Sequence, residues 1–257
     1  MVKVATWNVN SIKARLGHVL DWLETAKPDL LCLQEIKCPA TDFPTLELTS
    51  AGYHAEILGQ RAYNGVAILS REPARDVLRG LPGGDGDEQA RYLEATVAGV
   101  RVAAIYLPNG NPVGTDKYDY KLAWMARLAR HARTLIDSEQ VCVLAGDFNV
   151  VPTDDDVYDP VAWRDDALCR PETRAQFRRL LHMGFIDAFR VLHAEPHRYS
   201  FWDYQQGRWL RDQGLRIDHL LLSPQAADRL VAVDIDREPR GCDKASDHTP
   251  VWCELAL

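Results

Sequence analysis

Seven apolar runs of strand length punctuate this chain, and most of them end on a polar side chain. "VKVATWNVN" opens the sequence; "DLLCLQE", "NGVAILS", "AAIYLPN", "VCVLAGDFN", "RIDHLLLS" and "TPVWCELAL" follow in order. Several are too continuously apolar to leave one face in water, which points to sheets covered on both sides. Segments with helical periodicity lie between them. In "SIKARLGHVLDWLETA", Ile12, Leu16, Val19, Leu20 and Leu23 form one stripe, with Ser11 placed to cap it and Pro28 to end it. In "TDKYDYKLAWMARLARHARTLI" (115–136) the stripe is Leu122, Met125, Ala129, Ala132 and Ile136, leaving Arg127, Arg130 and Arg133 as a solvated basic face. "PETRAQFRRLLHMG" (171–184) has Pro at its start and Gly at its end. Residues 91–108 read as two strands around a tight Ala-Gly turn. No linker divides the chain, so the expectation is one domain over 1–257, an α/β sandwich of sheets packed face to face with helices outside.

Charge narrows the function. The formal net charge of −7 argues against a protein that coats nucleic acid by bulk electrostatics. It leaves room for a nuclease, because carboxylates that hold a metal lower the total charge while creating a cationic centre. No run of about 18 uncharged apolar residues suggests a membrane span. "MVKVATWNVN" lacks the apolar core of a signal peptide, so a cytoplasmic location is expected. Six cysteines without a Cys-x-x-Cys pair read as free buried thiols rather than zinc ligands or disulfides. The acidic residues of "LPGGDGDEQA" read as a solvated loop.

The polar strand ends carry the chemistry. Asn8 closes the first strand and Glu35 the second. Tyr106 and Asn109 stand after "AAI", and Asp147 and Asn149 close "VCVLAGDFN". Asp218 interrupts "GLRIDHLLLS", and Asp247 and His248 precede the final strand. One Asp-x-Asn is commonly a turn, and one histidine is commonly structural. Together, side chains at the ends of different strands tend to meet on one rim. Oxygen donors from Asn8, Glu35 and Asp247 suit Mg²⁺. Asp147 could orient or deprotonate water. Asn149 and Tyr106 could donate to phosphoryl oxygens, and His248 paired with Asp218 could be a cationic phosphate contact. Asp218 and His219 are neighbours on a strand, so only one of them faces the site, and Asp218 is the choice. In "GDFNVVPTDDDVYDP", Asp147 and Asn149 should alternate to the same side. The four acids that follow, Asp154, Asp155, Asp156 and Asp159, would repel a polyanion and are read as a polar loop.

"TWNVNSIKAR", "LCLQEIKC", "NGVAILSR", "YLPNG", "GDFNV", "GLRIDHLLLS" and "SDHTPV" resemble, in order and over residues 4–252, the motifs of the exonuclease III family of abasic-site endonucleases, within the endonuclease/exonuclease/phosphatase superfamily. The resemblance implies a four-layer, DNase I-like α/β sandwich of two mixed sheets. It implies Mg²⁺- or Mn²⁺-dependent cleavage 5′ to abasic sites in duplex DNA, with 3′→5′ exonuclease and 3′-phosphodiesterase activity, by a monomer associated with the nucleoid if bacterial. A nonspecific DNase or another phosphoesterase of the superfamily is the alternative. By motif position it implies Tyr106, Asp147, Asn149, Asp218 and His248 as catalytic. Asn8, Glu35, Asp147, Asn149, Asp247 and His248 would lie at the metal. Asn109 and Arg91 would face the DNA, with Lys13 and Arg15 as backbone contacts. Many eukaryotic members carry an acidic residue at Asn10, so this chain brings fewer formal charges to the metal, which tells against a second ion; animal members carry Trp at Leu215, so the sugar pocket is expected from Phe201, Trp202, Leu215 and Ile217.

Overall fold

The computed structural model describes residues 1–84 and 86–257. In chain order its strands are β1 (Val2–Asn8), β2 (Leu30–Gln34), β3 (His54–Leu58), β4 (Val66–Ser70), β5 (Arg75–Arg79), β6 (Tyr92–Val97), β7 (Val100–Tyr106), β8 (Cys142–Asp147), β9 (Ile186–Asp187), β10 (Asp218–Leu222), β11 (Leu230–Ile235) and β12 (Val251–Leu255). The helices are α1 (Ile12–Ala26), α2 (Thr45–Ser50), α3 (Asp116–Asp137), α4 (Pro160–Trp163), α5 (Pro171–His182), α6 (Ala188–Leu192) and α7 (Pro224–Ala227). One six-stranded sheet runs β11-β12-β1-β2-β4-β3 and the other β5-β6-β7-β8-β10-β9. Both are mixed: β1–β2 and β7–β8 are parallel and the other pairs antiparallel.

Three apolar layers hold the sandwich. Val4, Cys32, Ile68, Val102, Ala104, Val143, Ala145 and Leu220 fill the space between the sheets. Ala5, Trp7, Leu31 and Leu33, on the opposite face of their strands, pack under α1. Ala103, Ile105, Leu144 and Leu221 pack under α3 and α5. Each fully buried side chain of Leu or Phe size contributes about 1.5–3 kcal/mol, so these three layers supply the main favourable term holding sheets and helices together. The expected four-layer sandwich is therefore found. Ala98 and Gly99, both left-handed (φ 48° and 79°), make the tight turn between β6 and β7.

Local details differ from the sequence reading. Ser11 makes no capping bond through its side chain; its φ is 90°, and its amide instead donates to the Glu35 carbonyl. The α3 stripe is rotated: Lys121, Trp124 and Leu128 are buried, while Leu122 and Ile136 are only half-buried. Short edge strands β3, β5, β9 and β11 carried too little alternation to be read. All six cysteines are free, but Cys242 is exposed. Asp87 of the acidic loop is not solvated. It pairs with Arg127 at 2.6 Å and accepts from Tyr120, which also takes Arg127 out of the free basic face. Asp85 of that loop lies outside the described residues.

Candidate active site

Strand parity builds the site. In β1, residues 2 and 4 point between the sheets, so Thr6 and Asn8 do as well. The same parity sends Tyr106 of β7, Asp147 of β8 and Asp218 of β10 inward, all at one end of the sandwich. His219 points the other way. It packs against Phe148 and Phe177, and Arg216 beside it helps hold it neutral, with a pKa that burial lowers to about 4. β8 must press tightly on β7 to deliver Asp147: a Cβ at Gly146 would lie 2.0 Å from the Ile105 carbonyl oxygen. Asp218 is the first residue of β10 and stands directly opposite Asp147.

His248 arrives from the loop before β12. Ser246 fastens that loop to β1 by donating to the Asn8 carbonyl at 2.7 Å, and the His248 carbonyl accepts from Trp7 Nε1 at 3.2 Å. His248 Nδ1 lies 2.8 Å from Asp218 Oδ2, which also accepts from Ser200 Oγ at 2.6 Å. Its Nε2 lies 3.8 Å from Asp147 Oδ2. Burial alone would lower the imidazole pKa, but Asp218 and then Asp147 outweigh it and lift it to about 10. Burial lifts the Asp147 carboxyl to about 7, with Asp218 adding to it against the pull of His248. Burial likewise drives the Tyr106 phenol well above its ordinary value, with the carboxylates of Glu35 and Asp147 adding to it.

The candidate metal donors sit beside this pair. Ligand atoms of Glu35, Asp147 and His248 lie within 4.8 Å of one another. His248 Nδ1 is engaged by Asp218 and Nε2 faces Asp147, so the two carboxylates are the oxygen donors that a hard divalent ion would take. Two hard oxygen donors fit a divalent ion that keeps several waters. Asn8 donates its amide to both of them, at 2.8 Å to Glu35 and 2.9 Å to Asp147, while its oxygen accepts from Asn10 N. It holds the carboxylates together and presents nitrogen, not oxygen, to them. Lys37, which the sequence reading missed, pairs with Glu35 at 2.8 Å and also donates to Asn10. Burial works against the Glu35 charge, but Lys37 and Asn8 hold its pKa below the ordinary value. Asp247 accepts from Asn10 at 3.0 Å on the cleft wall.

The cleft holds about 280 Å³ and is lined by Glu35, Tyr106, Asn109, Asp147, Asn149, Phe201, Leu215, Ile217, Asp247 and His248. Asn111, Trp163, Asp166, Leu168 and Asp203 complete the lining; nothing in the sequence marked them, because they come from loops and from the four-residue α4, which are too short or irregular to show periodicity. Asn149 reaches the cleft by a different route from the one expected. β8 ends at Asp147, and Asn149 turns into the left-handed region (φ 47°), with its amide N–H on Asp147 Oδ1 at 2.9 Å. Phe201 packs against His248 with ring centres 4.9 Å apart and the planes tilted by 58°. Trp202 does not line the cleft. It is fully buried, donates to Asp212 and packs on Tyr199 and Trp209, because the alternation that turns Phe201 outward turns it inward. Arg91 is also outside the lining: it lies over the Tyr106 ring, 4.8 Å from its centre, and donates to the Tyr106 carbonyl. Lys13 pairs with Asp42, and Arg15 bridges Asn10, Tyr204 and Ala245.

Arg216 braces this end from below. Fully buried, it pairs with Asp156 at 2.7 Å and Asp187 at 2.8 Å, and Asp156 also takes Arg190. One of the four loop acids thus has a clear structural purpose.

A sequence profile of the Endonuclease/Exonuclease/phosphatase family matches residues 5–248. Exodeoxyribonuclease III of Haemophilus influenzae is 32% identical over 266 residues, covering 99% of this chain and 100% of that protein. An AP endonuclease from Archaeoglobus fulgidus superposes with a TM-score of 0.96 at 37% identity, over 100% of both chains. The 3′ phosphatase NExo from Neisseria, bound to product DNA hairpin, superposes with a TM-score of 0.97 at 41% identity, again over 100% of both chains. With strand parity, sheet order and whole-chain similarity in agreement, this chain belongs to the endonuclease/exonuclease/phosphatase family, in its exonuclease III branch of AP endonucleases.

Proposed function

We propose that this protein is a metal-dependent DNA-repair phosphodiesterase. It cleaves duplex DNA 5′ to abasic sites and removes blocking groups from 3′ ends, acting as a monomer in the cytoplasm. The observation that carries this reading is the buried Asp147–His248–Asp218 arrangement opening onto a cleft with a half-apolar wall. Phe201, Leu215 and Ile217 offer that wall to a sugar without a base, and a missing base lowers the cost of extruding it.

Asp147, buried with one oxygen 3.8 Å from His248 Nε2, is placed to orient or deprotonate the attacking water. His248, held charged by Asp218, directs Nε2–H at the phosphoryl oxygens, and the neutral Tyr106 phenol is a second donor. One Asn149 amide hydrogen is used by the Leu107 carbonyl at 3.0 Å, which leaves the other for the phosphate. Water attacks phosphorus, the bond to the 3′ oxygen breaks, and the products are a 3′-hydroxyl and a 5′-deoxyribose phosphate. Glu35 and Asp147 would hold Mg²⁺, with Mn²⁺ as a substitute, beside Asp247. What a bound divalent ion supplies here is charge neutralisation at the phosphoryl and leaving oxygens.

A duplex with one tetrahydrofuran analogue, incubated with Mg²⁺ or EDTA, tests the reading. Metal-dependent incision at the analogue is expected. Equal cutting of intact duplex would instead support a nonspecific nuclease. A 3′-phosphate hairpin forms a further arm, motivated by the 41% identity to a 3′ phosphatase.

A further inference from the structure

Lys121 belongs to no motif, yet it is fully buried on α3 against the back of the cleft. Its Nζ donates to the main-chain oxygen of Asn109 at 3.0 Å and of Asn149 at 2.6 Å. The side chains of the same two residues are joined: Asn109 Nδ2 donates to Asn149 Oδ1 at 3.0 Å. The contacts form a closed ring through one ammonium, two carbonyls and two side-chain amides. Among the described residues no carboxylate pairs with Lys121 within salt-bridge distance.

Several features show that this ring is built for the site. Burying a lysine amine without a counter-ion is costly, and burial lowers its pKa to about 7; methionine would fill the same volume without that cost. The ammonium is directed at two loop carbonyls that apolar replacement would leave without a donor. Asn149 sits in the left-handed region (φ 47°), outside the strand ladder of β8, so the aim of its amide depends on how its own main chain is held. Gly110 (φ 88°) lets the lysine stem pass, since a Cβ there would lie 2.6 Å from Lys121 Cδ.

We propose that Lys121 is a positioning residue of the active site: its ammonium clamps the main chain at Asn109 and Asn149 and thereby aims their amides into the cleft. The inference rests on the phosphodiesterase reading above for its kinetic consequence, but not for its structural one. Displacement of reacting groups by about 1 Å costs on the order of 10²-fold in rate, so the loss falls on kcat.

The test compares Lys121→Met with Leu128→Ala, a core change on the same helix, using the Mg²⁺-loaded full chain and the abasic duplex. Lys121→Met is expected to lower kcat by about 30–100-fold with KM within about 3-fold. Combined with Asn109→Ala and Asn149→Ala, it should add less than about 3-fold, because no amide remains to be aimed. Leu128→Ala should leave kcat per folded molecule within about 2-fold. Independently of turnover, the side-chain amide resonances of Asn109 and Asn149 should shift in Lys121→Met and stay in place in Leu128→Ala. Equal losses in both backgrounds, or unmoved resonances, would overturn the inference. If the wild type does not incise, the proposed function falls and the resonances still decide the role of Lys121. If Lys121→Met does not fold, Lys121→Gln, which retains one donor, carries the same comparison.

Discussion

Asp147 and Asp218 face each other across adjacent antiparallel strands, two buried carboxylates in one cross-strand pair. Such a pair is unfavourable by itself, since like charges directly opposite repel. His248 resolves it by binding Asp218 at 2.8 Å and standing 3.8 Å from Asp147. The electrostatics of the site follow from this triangle: one proton is held firmly on the imidazole, and another sits near neutrality on Asp147.

Asp218→Asn removes the largest of the charges that raise the His248 pKa from 6.5 to about 10. The alkaline limb of kcat/KM should move down by more than one pH unit, with about 10²-fold lost at pH 8.5 and partial recovery at pH 6. His248→Ala should cost about 10²–10⁴-fold at every pH. A full pH–rate profile checks both, and an unmoved limb in Asp218→Asn would remove Asp218 from this role.

Asp147 has a folded pKa of about 7 against an ordinary 3.8. Between those values the folded state holds a proton that the unfolded state has shed. The contribution to stability is present below 3.8 and is lost as pH rises through 7. In EDTA at pH 8, Asp147→Asn should therefore be more stable than wild type by roughly 1–3 kcal/mol, while in Mg²⁺ its turnover collapses. Calorimetry at pH 4 and pH 8 reads the difference, which should nearly vanish at the lower pH.

Lys37 occupies one oxygen of Glu35 and so competes with a cation for it. Lys37→Met should lower the Mn²⁺ concentration for half-maximal activity by about 3–10-fold. Isothermal titration of the metal into the variant provides the same comparison without turnover. Weaker binding in Lys37→Met would show that the lysine supports the metal site instead.

Phe201 and Trp202 are neighbours with opposite consequences. Phe201→Ala should reduce kcat/KM on the abasic duplex at least about tenfold with a small change in melting temperature. Trp202→Ala should cost about 3–5 kcal/mol of stability, and the milder Trp202→Phe should keep kcat/KM within about 3-fold per folded molecule. Denaturant titrations alongside kinetics separate the two.

Arg216 neutralises Asp156 and Asp187 beneath the cleft, and their pKa values stay low because the guanidinium outweighs their burial. Arg216→Met leaves two buried carboxylates without that partner and should cost about 3–5 kcal/mol. The loss should be larger at pH 8 than at pH 4, where the acids can take up protons.

The layers of this fold and much of its candidate site are legible in the sequence. Alternation is local: once Val2 and Val4 face inward, Asn8 must as well, and the same parity placed Tyr106, Asp147 and Asp218. It also separated Asp218 from His219 correctly. Parity stops where strands stop. Asn149 lies beyond β8 and enters the cleft through a left-handed turn, while Trp202, adjacent to a lining residue, turns into the core.

Burial and charge were decided only by the tertiary structure. Lys121 occupies a helical position whose neighbours read as an amphipathic stripe, and only the packing of α3 shows its ammonium under the Asn109 and Asn149 loops. Lys37 and Asp166 carry no periodic signal at all. The protonation of His248 depends on Asp218, thirty residues away in sequence, and on Asp147, still farther, brought within a few ångströms in a water-poor interior. Sequence determines which face of a strand a side chain takes, because that is set by the adjacent peptide geometry. The tertiary structure determines what the side chain meets there, because the energy of a buried charge depends on every group that packing brings near it.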